Sequence, residues 1–241
     1  MAGFRKTAPV PPSDEHLAGL RILTPRLELR IPTDADIEAL CALARLGIHD
    51  PAVMPFDTPW TDTPDAEFHA QFQSFHAQVR ASWGTPAWDY EFVVSARDRS
   101  NITIGTQGLA MRGEPLVPET GSWLGQQFQG QGYGTEMRAA VLSYAFDVLG
   151  LAFVTSGAYT FNVASHRVSE KMGYVETHRV TKAPRGVPQE SVRYRIDREQ
   201  FAARRPDLPI EFVGSAPVVA RTTTDADPFS GVEIEHPRRG P

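Results

Sequence analysis

The sequence predicts an α/β fold of the α+β kind, because alternating strand patterns and amphipathic helix patterns interleave along the chain. Leu27 and Leu29 alternate with charged residues, as in a half-buried strand. Residues 65–83 carry apolar side chains at helical spacing. A strand at 119–124 leads through glycines at 130, 132 and 134 into another amphipathic helix. We therefore expect one sheet covered by helices, with a glycine turn at its centre.

The first elements have clear boundary signals. Residues 27–31 form the first predicted strand, and Thr33 or Asp34 then caps a helix that Gly47 ends. Phe68 and Val79 lie on the apolar face of the second helix, over 65–83. We expect the later strands at residues 90–97, 102–111, 119–124, 154–161, 174–181 and 189–197, with Asn101 in a hairpin turn.

Composition changes at both ends of the chain. Residues 1–20 are polar and rich in proline and read as a flexible arm, 21–203 as the folded domain, and 204–241 as a proline-rich tail. Within the tail, only residues 210–219 are apolar enough to pack, as an edge strand or across a partner subunit.

Charge and composition exclude several classes of function. The 241-residue chain is 41% hydrophobic and has a net charge of −5, which argues against a nucleic-acid partner. No apolar run has the length of a membrane span, and no signal peptide is evident. A single cysteine, Cys41, excludes a disulfide framework and favours the cytoplasm. The histidines lack metal-binding spacing, so we expect no metal.

The glycine turn predicts an anion site, because a helix N-terminus presents unpaired N–H groups. A nucleotide P-loop would end in Gly-Lys-Ser/Thr, and a dinucleotide motif would read G-x-G-x-x-G. The sequence has neither. The pattern Gln129-x-x-Gly132-x-Gly134 instead resembles the pyrophosphate-binding signature of the GNAT superfamily of acyl-CoA N-acyltransferases.

Other blocks resemble the same family. The run from Asn162 to Tyr174 is similar to the later strand-to-helix junction of that family, and Thr24-Pro-Arg-Leu-x-Leu-Arg30 is similar to the entry of its ribosomal-protein N-terminal (alanine) acetyltransferase branch. Gly121-Ser-Trp-Leu-Gly125 resembles a bacterial, mycobacterial subgroup associated with succinyl-CoA. The resemblance implies a mixed, mostly antiparallel sheet of about six to seven strands, splayed at its centre and flanked by about four helices.

The resemblance also implies a coenzyme A site and an acyl-CoA cosubstrate. Acetyl-CoA is the default donor and succinyl-CoA the rival, with Arg80, Arg112 or His49 as candidate partners of a succinyl carboxylate. The residues expected to bind the cofactor are Trp123, Leu124, Gln129, Gly130, Gln131, Gly132, Tyr133, Gly134, Thr135, Asn162, Ser165 and Lys171. Asn162 and Ser165 also suit a simple helix cap.

Amide formation requires a base for the amine and an acid for the leaving thiolate. The sequence offers no serine or cysteine nucleophile motif, which favours direct attack by the amine through a tetrahedral intermediate. Glu119 is the candidate base, acting through a water, and a solvated carboxylate at a strand end is the alternative. Many family members carry a tyrosine acid where this chain has Ser169, so Ser169, water or Tyr159 is the candidate acid.

The acceptor side is less defined. The resemblance places Met54, Phe56, Trp60 and Tyr159 beside a small-molecule or peptide amine, although the first three are equally suited to anchoring a loop. The chain is expected to bind neither nucleic acid nor membrane and is compatible with a homodimer. The missing tyrosine at Ser169 also keeps open a second function, a regulatory module that binds acyl-CoA without turnover.

Overall fold

A computed structural model of the chain describes residue 17 and residues 19–214. The strands in this part are β1 (Arg21–Leu23), β2 (Leu27–Arg30), β3 (Asp89–Ala96), β4 (Ile102–Arg112), β5 (Val117–Leu124), β6 (Phe153–Tyr159), β7 (Val175–Lys182), β8 (Gln189–Asp197) and β9 (Glu211–Val213). The α-helices are α1 (Asp34–Arg45), α2 (Asp65–Ser82), α3 (Tyr133–Ser143), α4 (Val163–Met172) and α5 (Arg198–Arg204).

The nine described strands form one sheet in the order β7-β8-β6-β5-β4-β3-β2-β1-β9. Every pairing is antiparallel except β5 with β6, which is parallel. This architecture confirms the predicted fold class. The sheet exceeds the expected number of strands because β1 and β9, each only 3 residues long, extend one edge.

Local sequence signals account for the element boundaries. Thr33 caps α1 through a capping box with Asp36, so both orphan groups at this helix end are satisfied. Gly173 ends α4 in the left-handed conformation, which glycine adopts readily at a helix C-terminus. The predicted helix after the glycine turn ends as α-helix at Ser143 and continues as one π-helical turn over Tyr144–Val148.

Each face of the sheet has its own hydrophobic cluster. On one face α3 packs Met137, Val141 and Ala140 against Phe92 of β3 and Leu109 of β4. The apolar residues of α1 and α2 cover part of the opposite face, where Val93 belongs to their cluster. This second cluster is smaller, so part of that face remains available for a ligand.

Two predicted regions meet the limits of the described chain. Residues 1–16 and 18 of the predicted arm lie outside the described chain. Residues 215–241 of the predicted tail also lie outside it. Between these limits, β9 pairs with β1 as an edge strand, which was one of the two alternatives for residues 210–219. The predicted domain boundary at residue 203 falls within α5 and stays a prediction. In the described chain no helix combines the length and apolarity that crossing a membrane requires.

His76 makes the stability of the fold dependent on pH. It lies on α2 beside Phe72 and Phe75, and its Nδ1 atom has no hydrogen-bond partner among the described residues. Burial and the nearby Arg80 lower the pKa of His76 from 6.5 to about 4. Between these two pH values the unfolded chain therefore binds more protons than the folded chain. The contribution of neutral His76 to the free energy of unfolding is fully present above about pH 6.5 and is lost as the pH decreases toward 4.

We expect the free energy of unfolding to be roughly 2 kcal/mol lower at pH 5 than at pH 7 because of this one group. His76→Phe should remove most of that difference, as measured by urea unfolding at both pH values. His69→Gln, an exposed change on the same helix, serves as the control and should keep the wild-type difference. An unchanged pH difference in His76→Phe would contradict the prediction.

Candidate active site

The glycine turn presents a row of free backbone N–H groups in front of α3. Gly130 and Gly132 have φ values of 72° and 86°, which favour glycine, and Gly132 is the helix N-cap. The N–H of Gln129 bonds to the Gln126 carbonyl and that of Thr135 to the Gly132 carbonyl. Between them, the N–H groups of residues 130–134 donate no hydrogen bond within the described chain. This arrangement suits an anion with several oxygens.

A buried carboxylate, which the sequence reasoning missed, fixes the turn. Glu136 in the first turn of α3 accepts hydrogen bonds from the Thr24 hydroxyl at 2.5 Å and from Arg26 Nε at 2.7 Å. Arg26 Nη1 also donates to the carbonyl of Gln131 at 3.1 Å. The two motifs that carried the family resemblance therefore bind each other. The opposite charges of Arg26 and Glu136 could have been the signal, but nothing in their positions along the chain indicates that they pair.

Three side chains predicted to bind the cofactor have partners inside the protein. Gln129 Nε2 donates to the carbonyls of Ile48 and Leu124, both at 2.8 Å. Gln131 bonds to Arg99 and to the Gln127 carbonyl, and the hydroxyl of buried Tyr133 contacts Asp98 and Arg99. The side chains of these residues brace the turn, which leaves their backbone groups available to a ligand.

The central strands part directly above this turn. β5 and β6 share only the pairs Glu119↔Thr155 and Thr120↔Ser156. Beyond them β5 stays paired with β4 as far as Leu124, and β6 stays paired with β8 as far as Tyr159. The diverging inner edges therefore carry backbone groups that an inserted chain of amides could pair with. The predicted splay is present between these two strands.

Arg138 lies at the apex of this wedge. It projects from α3, is 4% exposed, and contacts three neutral side-chain oxygens. These are Ser156 Oγ at 3.2 Å, Ser122 Oγ at 3.3 Å and Gln107 Oε1 at 3.4 Å. The guanidinium thus bridges the strands where they separate and places a positive charge there.

The second predicted block forms α4, on the far side of the wedge. Asn162 is the N-cap and its side chain accepts from the Ser165 N–H at 3.1 Å, as its capping interpretation requires. Ser169 is 1% exposed, and its hydroxyl has no hydrogen-bond partner among the described residues. Lys171 is exposed on the same helix. A buried, unpaired hydroxyl is costly, so Ser169 is a natural donor to a ligand atom.

Glu119 faces the opposite side of the sheet from Ser122 and Arg138. It forms an ion pair with Arg193 of β8 at 2.9 Å and remains partly exposed. Its neighbour on the same face, Trp123, contacts Trp60 with ring centroids 6.0 Å apart. The side chain of Trp123 therefore points toward the second hydrophobic cluster, while Leu124 packs into the first one.

Aromatic rings from the segment between α1 and α2 wall this face. Phe56 contacts Trp60 at 5.3 Å, and Trp60 in turn contacts Phe68 and Phe72 of α2. Met54 is fully buried, which suits the loop-anchoring interpretation better than direct contact with a ligand. The structure thus brings Phe56 and Trp60 together with Trp123 and separates Met54 from the surface.

Tyr159 joins this segment to β6. Its hydroxyl donates to Asp57 Oδ1 at 2.8 Å, and Lys182 also binds Asp57. Burial and the Asp57 carboxylate raise the pKa of Tyr159 above its ordinary value. Burial opposes ionisation of Asp57, but hydrogen bonds from Lys182 and Tyr159 lower its pKa overall. A hydroxyl so committed to a carboxylate is a poor acid for a thiolate.

The remaining candidate side chains have partners elsewhere. Arg80 binds Asp34, Arg112 binds Asp89, and His49 contacts the Thr61 hydroxyl. Only Arg112 of these three lines a cavity beside Glu119. Within residue 17 and residues 19–214, histidine, cysteine and acidic side chains form no group of three that could hold a metal.

Residues 26–175, more than half of the chain, match the family model described as an acetyltransferase (GNAT) domain. Over 87 residues the chain is 38% identical to FsC-acetyl coenzyme A-N(2)-transacetylase from Aspergillus fumigatus. That stretch is 34% of this chain, and the chain spans only 37% of the length of that curated relative.

Two solved structures share the fold. Mycobacterium smegmatis RimJ in complex with CoA-disulfide is 17% identical, with a TM-score of 0.63 over 78% of this chain and 96% of that one. RimL, a ribosomal L7/L12 alpha-N-protein acetyltransferase in complex with coenzyme A, is 18% identical, with a TM-score of 0.57 over 72% and 94% of the two chains. The predicted similarity to ribosomal-protein acetyltransferases is confirmed; the narrower mycobacterial subgroup stays a prediction.

Glu136 provides a test of how the turn is held. We expect Glu136→Gln to lower the free energy of unfolding by about 2–3 kcal/mol, because it leaves the buried Thr24 hydroxyl and the partly exposed Arg26 guanidinium without an anionic partner. Chemical denaturation measures the change. Glu176→Gln removes a similarly arginine-paired carboxylate on exposed β7 and should cost under about 0.5 kcal/mol. Equal losses in both variants would contradict a special role for Glu136.

Proposed function

The chain belongs to the GNAT acetyltransferase family, and from this we propose that it is an N-acyltransferase that uses acyl-CoA as cosubstrate. The row of free N–H groups at residues 130–134, lying next to the wedge between β5 and β6, is the observation that carries the proposal. It offers an anion site and a cleft for an amide-bearing chain in one continuous path. Coenzyme A has a pyrophosphate followed by a pantetheine arm with amides, which matches that order.

The donor site divides between backbone and side chains. In the proposed complex the N–H groups of residues 130–134 hold the pyrophosphate, and Arg26 adds a positive charge beside Gly132. The free edges of β5, over residues 121–124, and of β6 flank the pantetheine arm. Asn162, Ser165 and exposed Lys171 lie on α4 beyond the wedge, where they can contact the rest of the cofactor.

The chemistry is direct transfer. The amine nitrogen attacks the thioester carbonyl carbon, the C–S bond then breaks, and the thiolate takes a proton. Glu119 is the proposed base, acting through a water. Ser169 is the proposed acid, because its buried hydroxyl is unpaired whereas that of Tyr159 is bound to Asp57. Arg138 supplies positive charge near the place where the carbonyl oxygen becomes an anion.

Acetyl is the proposed acyl group, in agreement with the names of the acetyltransferase (GNAT) family and of the Aspergillus fumigatus transacetylase. Succinyl remains the rival, and Arg112 is the best placed of the three candidate partners for its carboxylate because it lines a cavity beside Glu119. The proposed acceptor is a small-molecule or peptide amine that approaches on the face walled by Phe56 and Trp60. A cytoplasmic location fits both substrates.

The decisive experiment measures thiol release. Purified protein is incubated with acetyl-CoA or succinyl-CoA and a panel of diamines, polyamines and peptides with free N-termini, and the products are identified by mass spectrometry. Amine-dependent release of CoA with formation of an amide supports the proposal. Tight acyl-CoA binding with no release from any member of the panel would instead support the regulatory module that the Ser169 position left open.

Gly134 tests the donor site separately from the chemistry. It is the second residue of α3, its backbone is not in the left-handed region, and a Cβ there would lie 3.7 Å from Val168 Cγ2, an ordinary contact. We expect Gly134→Val to weaken CoA binding at least tenfold, about 1.4 kcal/mol, because its methyl groups crowd the anion site. Calorimetry with CoA measures the affinity.

The matched control is Ala35→Val, which adds valine at the second residue of α1, away from the glycine turn. It should leave the affinity for CoA unchanged, and both variants should retain the wild-type circular dichroism spectrum. Gly132 is a poor test site because its φ of 86° would strain any other residue. Unchanged affinity in Gly134→Val would remove the glycine turn from the donor site.

A further inference from the structure

A small acidic cavity opens on the sheet face opposite α3. Its volume is about 70 Å³, which exceeds the roughly 10–15 Å³ that one water needs. The lining residues are Asp89, Glu91, Gly108, Ala110, Arg112, Glu119, Thr120 and Gly121. Three of the lining side chains are carboxylates and one is a guanidinium, so acidic side chains outnumber basic ones around the cavity.

The strand register explains why the cavity exists. Glu91, Gly108 and Gly121 lie side by side on β3, β4 and β5, and the neighbouring row is Asp89, Ala110 and Glu119. The two glycines leave space into which the carboxylate of Glu91 extends, since a Cβ on Gly108 would lie 2.5 Å from Glu91 Oε2. The small residues Gly108, Ala110 and Gly121 thus form the floor of the cavity, and the acidic side chains line its sides.

The cavity adjoins the wedge. Thr120 is the last residue of β5 that pairs with β6, and Gly121 is the first beyond it. Both line the cavity. The place where the strands begin to part is therefore also an edge of the acidic cavity, and a group bound there would lie beside an acyl group held in the wedge.

Asp89, which lines the cavity, has one carboxylate oxygen without a hydrogen-bond partner among the described residues. The residue is 9% exposed, and its Oδ2 atom accepts a hydrogen bond from Arg112 at 2.6 Å. Its Oδ1 atom has no hydrogen-bond partner in the described chain. A buried carboxylate oxygen without a donor is costly, so Oδ1 is an acceptor that an N–H group of a ligand would satisfy.

We propose that this cavity is an ammonium subsite for the acceptor, in which Asp89 and Glu91 bind the amine and Glu91, in place of Glu119, takes its proton. The inference rests on the proposed acyl transfer and deepens it. An N–H bond of the ammonium breaks and its proton moves to the Glu91 carboxylate. The freed lone pair then forms the N–C bond to the acyl carbon, the C–S bond breaks, and the thiolate leaves as thiol after taking a proton.

The charges around Glu91 suit this role. Burial and the neighbouring Asp89 raise the pKa of Glu91 to about 8, with Arg112 acting in the opposite direction. Glu119 faces the same cavity from β5 but is occupied by Arg193 of β8, 2.9 Å away. Glu91 forms no such ion pair in the described chain, so its carboxylate is the one left to bind an amine.

The first test needs no acyl transfer. Carboxyl ¹³C NMR of glutamate-labelled protein, with Glu91→Gln to assign the signal, follows the Glu91 titration with and without n-butylamine at a pH where the amine is cationic. We expect the ammonium probe to lower the midpoint by about one pH unit, because it stabilises the carboxylate. Gly108→Ala keeps both carboxylates but fills the floor, and should abolish the shift. An unchanged midpoint in the wild-type protein overturns the subsite.

The second test uses the amine that releases thiol. Wild-type kcat/KM should rise with pH through about 8, as Glu91 loses its proton, and Glu91→Gln should lower kcat/KM at least tenfold and flatten that rise. CoA affinity should not change. Wild-type turnover in Glu91→Gln would overturn the role as proton acceptor. If the probe binds but no amine is acylated, the proposed function fails while the subsite stands.

Glu114→Gln is the matched control for both measurements, because it makes the same change at an exposed carboxylate between β4 and β5. It should leave the butylamine-induced shift and the pH profile as in the wild type. A loss of the shift in Glu114→Gln equal to that in Gly108→Ala would show a general effect of surface charge or stability, and would contradict the specific site.

Discussion

The parting of β5 and β6 is the constraint on which the rest of the structure depends. Two residue pairs join these strands, after which each keeps only its outer partner, β4 or β8. Unpaired edges inside a sheet are costly unless something satisfies them. Arg138 bridges Ser122 and Ser156 at the apex and keeps the strands at a fixed separation. The opening is thus built from inside the fold, and loops are not needed to create it.

The glycine turn works only because its surroundings are rigid. Free N–H groups bind an anion well when they are held in place beforehand. Glu136, Thr24 and Arg26 fix the turn from the β1–β2 side, while Gln129 fixes it to Ile48 at the end of α1. The side chains around the turn are therefore used for structure, and the backbone is left for the ligand. This division explains why residues that share one motif have such different contacts.

Most of the fold, together with the glycine turn and the parting of the central strands beside it, could be predicted from the sequence. Strand alternation, the Thr33 and Asn162 caps and the glycine turn are local signals, and local signals set element boundaries. The short strand β1 was not predicted, because a strand of 3 residues carries too little pattern and exists through its neighbour, whereas β9 was one of the two alternatives for residues 210–219. The Glu136–Arg26 pair was missed for a related reason, since the two residues are 110 positions apart.

The acceptor side depends on side chains that meet only in the folded sheet. Asp89 and Glu91 belong to β3 and Glu119 to β5, and the register of these strands cannot be predicted from the sequence. The need for glycine at position 108 is likewise apparent only in the fold, where the Glu91 carboxylate lies over it. The segment between α1 and α2 is likewise held by partners more than 100 positions away, through Asp57 with Tyr159 and Asp62 with Arg185. Under the proposed function, donor binding through the backbone tolerates sequence change, whereas acceptor binding is set by individual charges and by the space that small residues leave. Acceptor specificity in this chain should therefore be sought on the face that carries the acidic cavity.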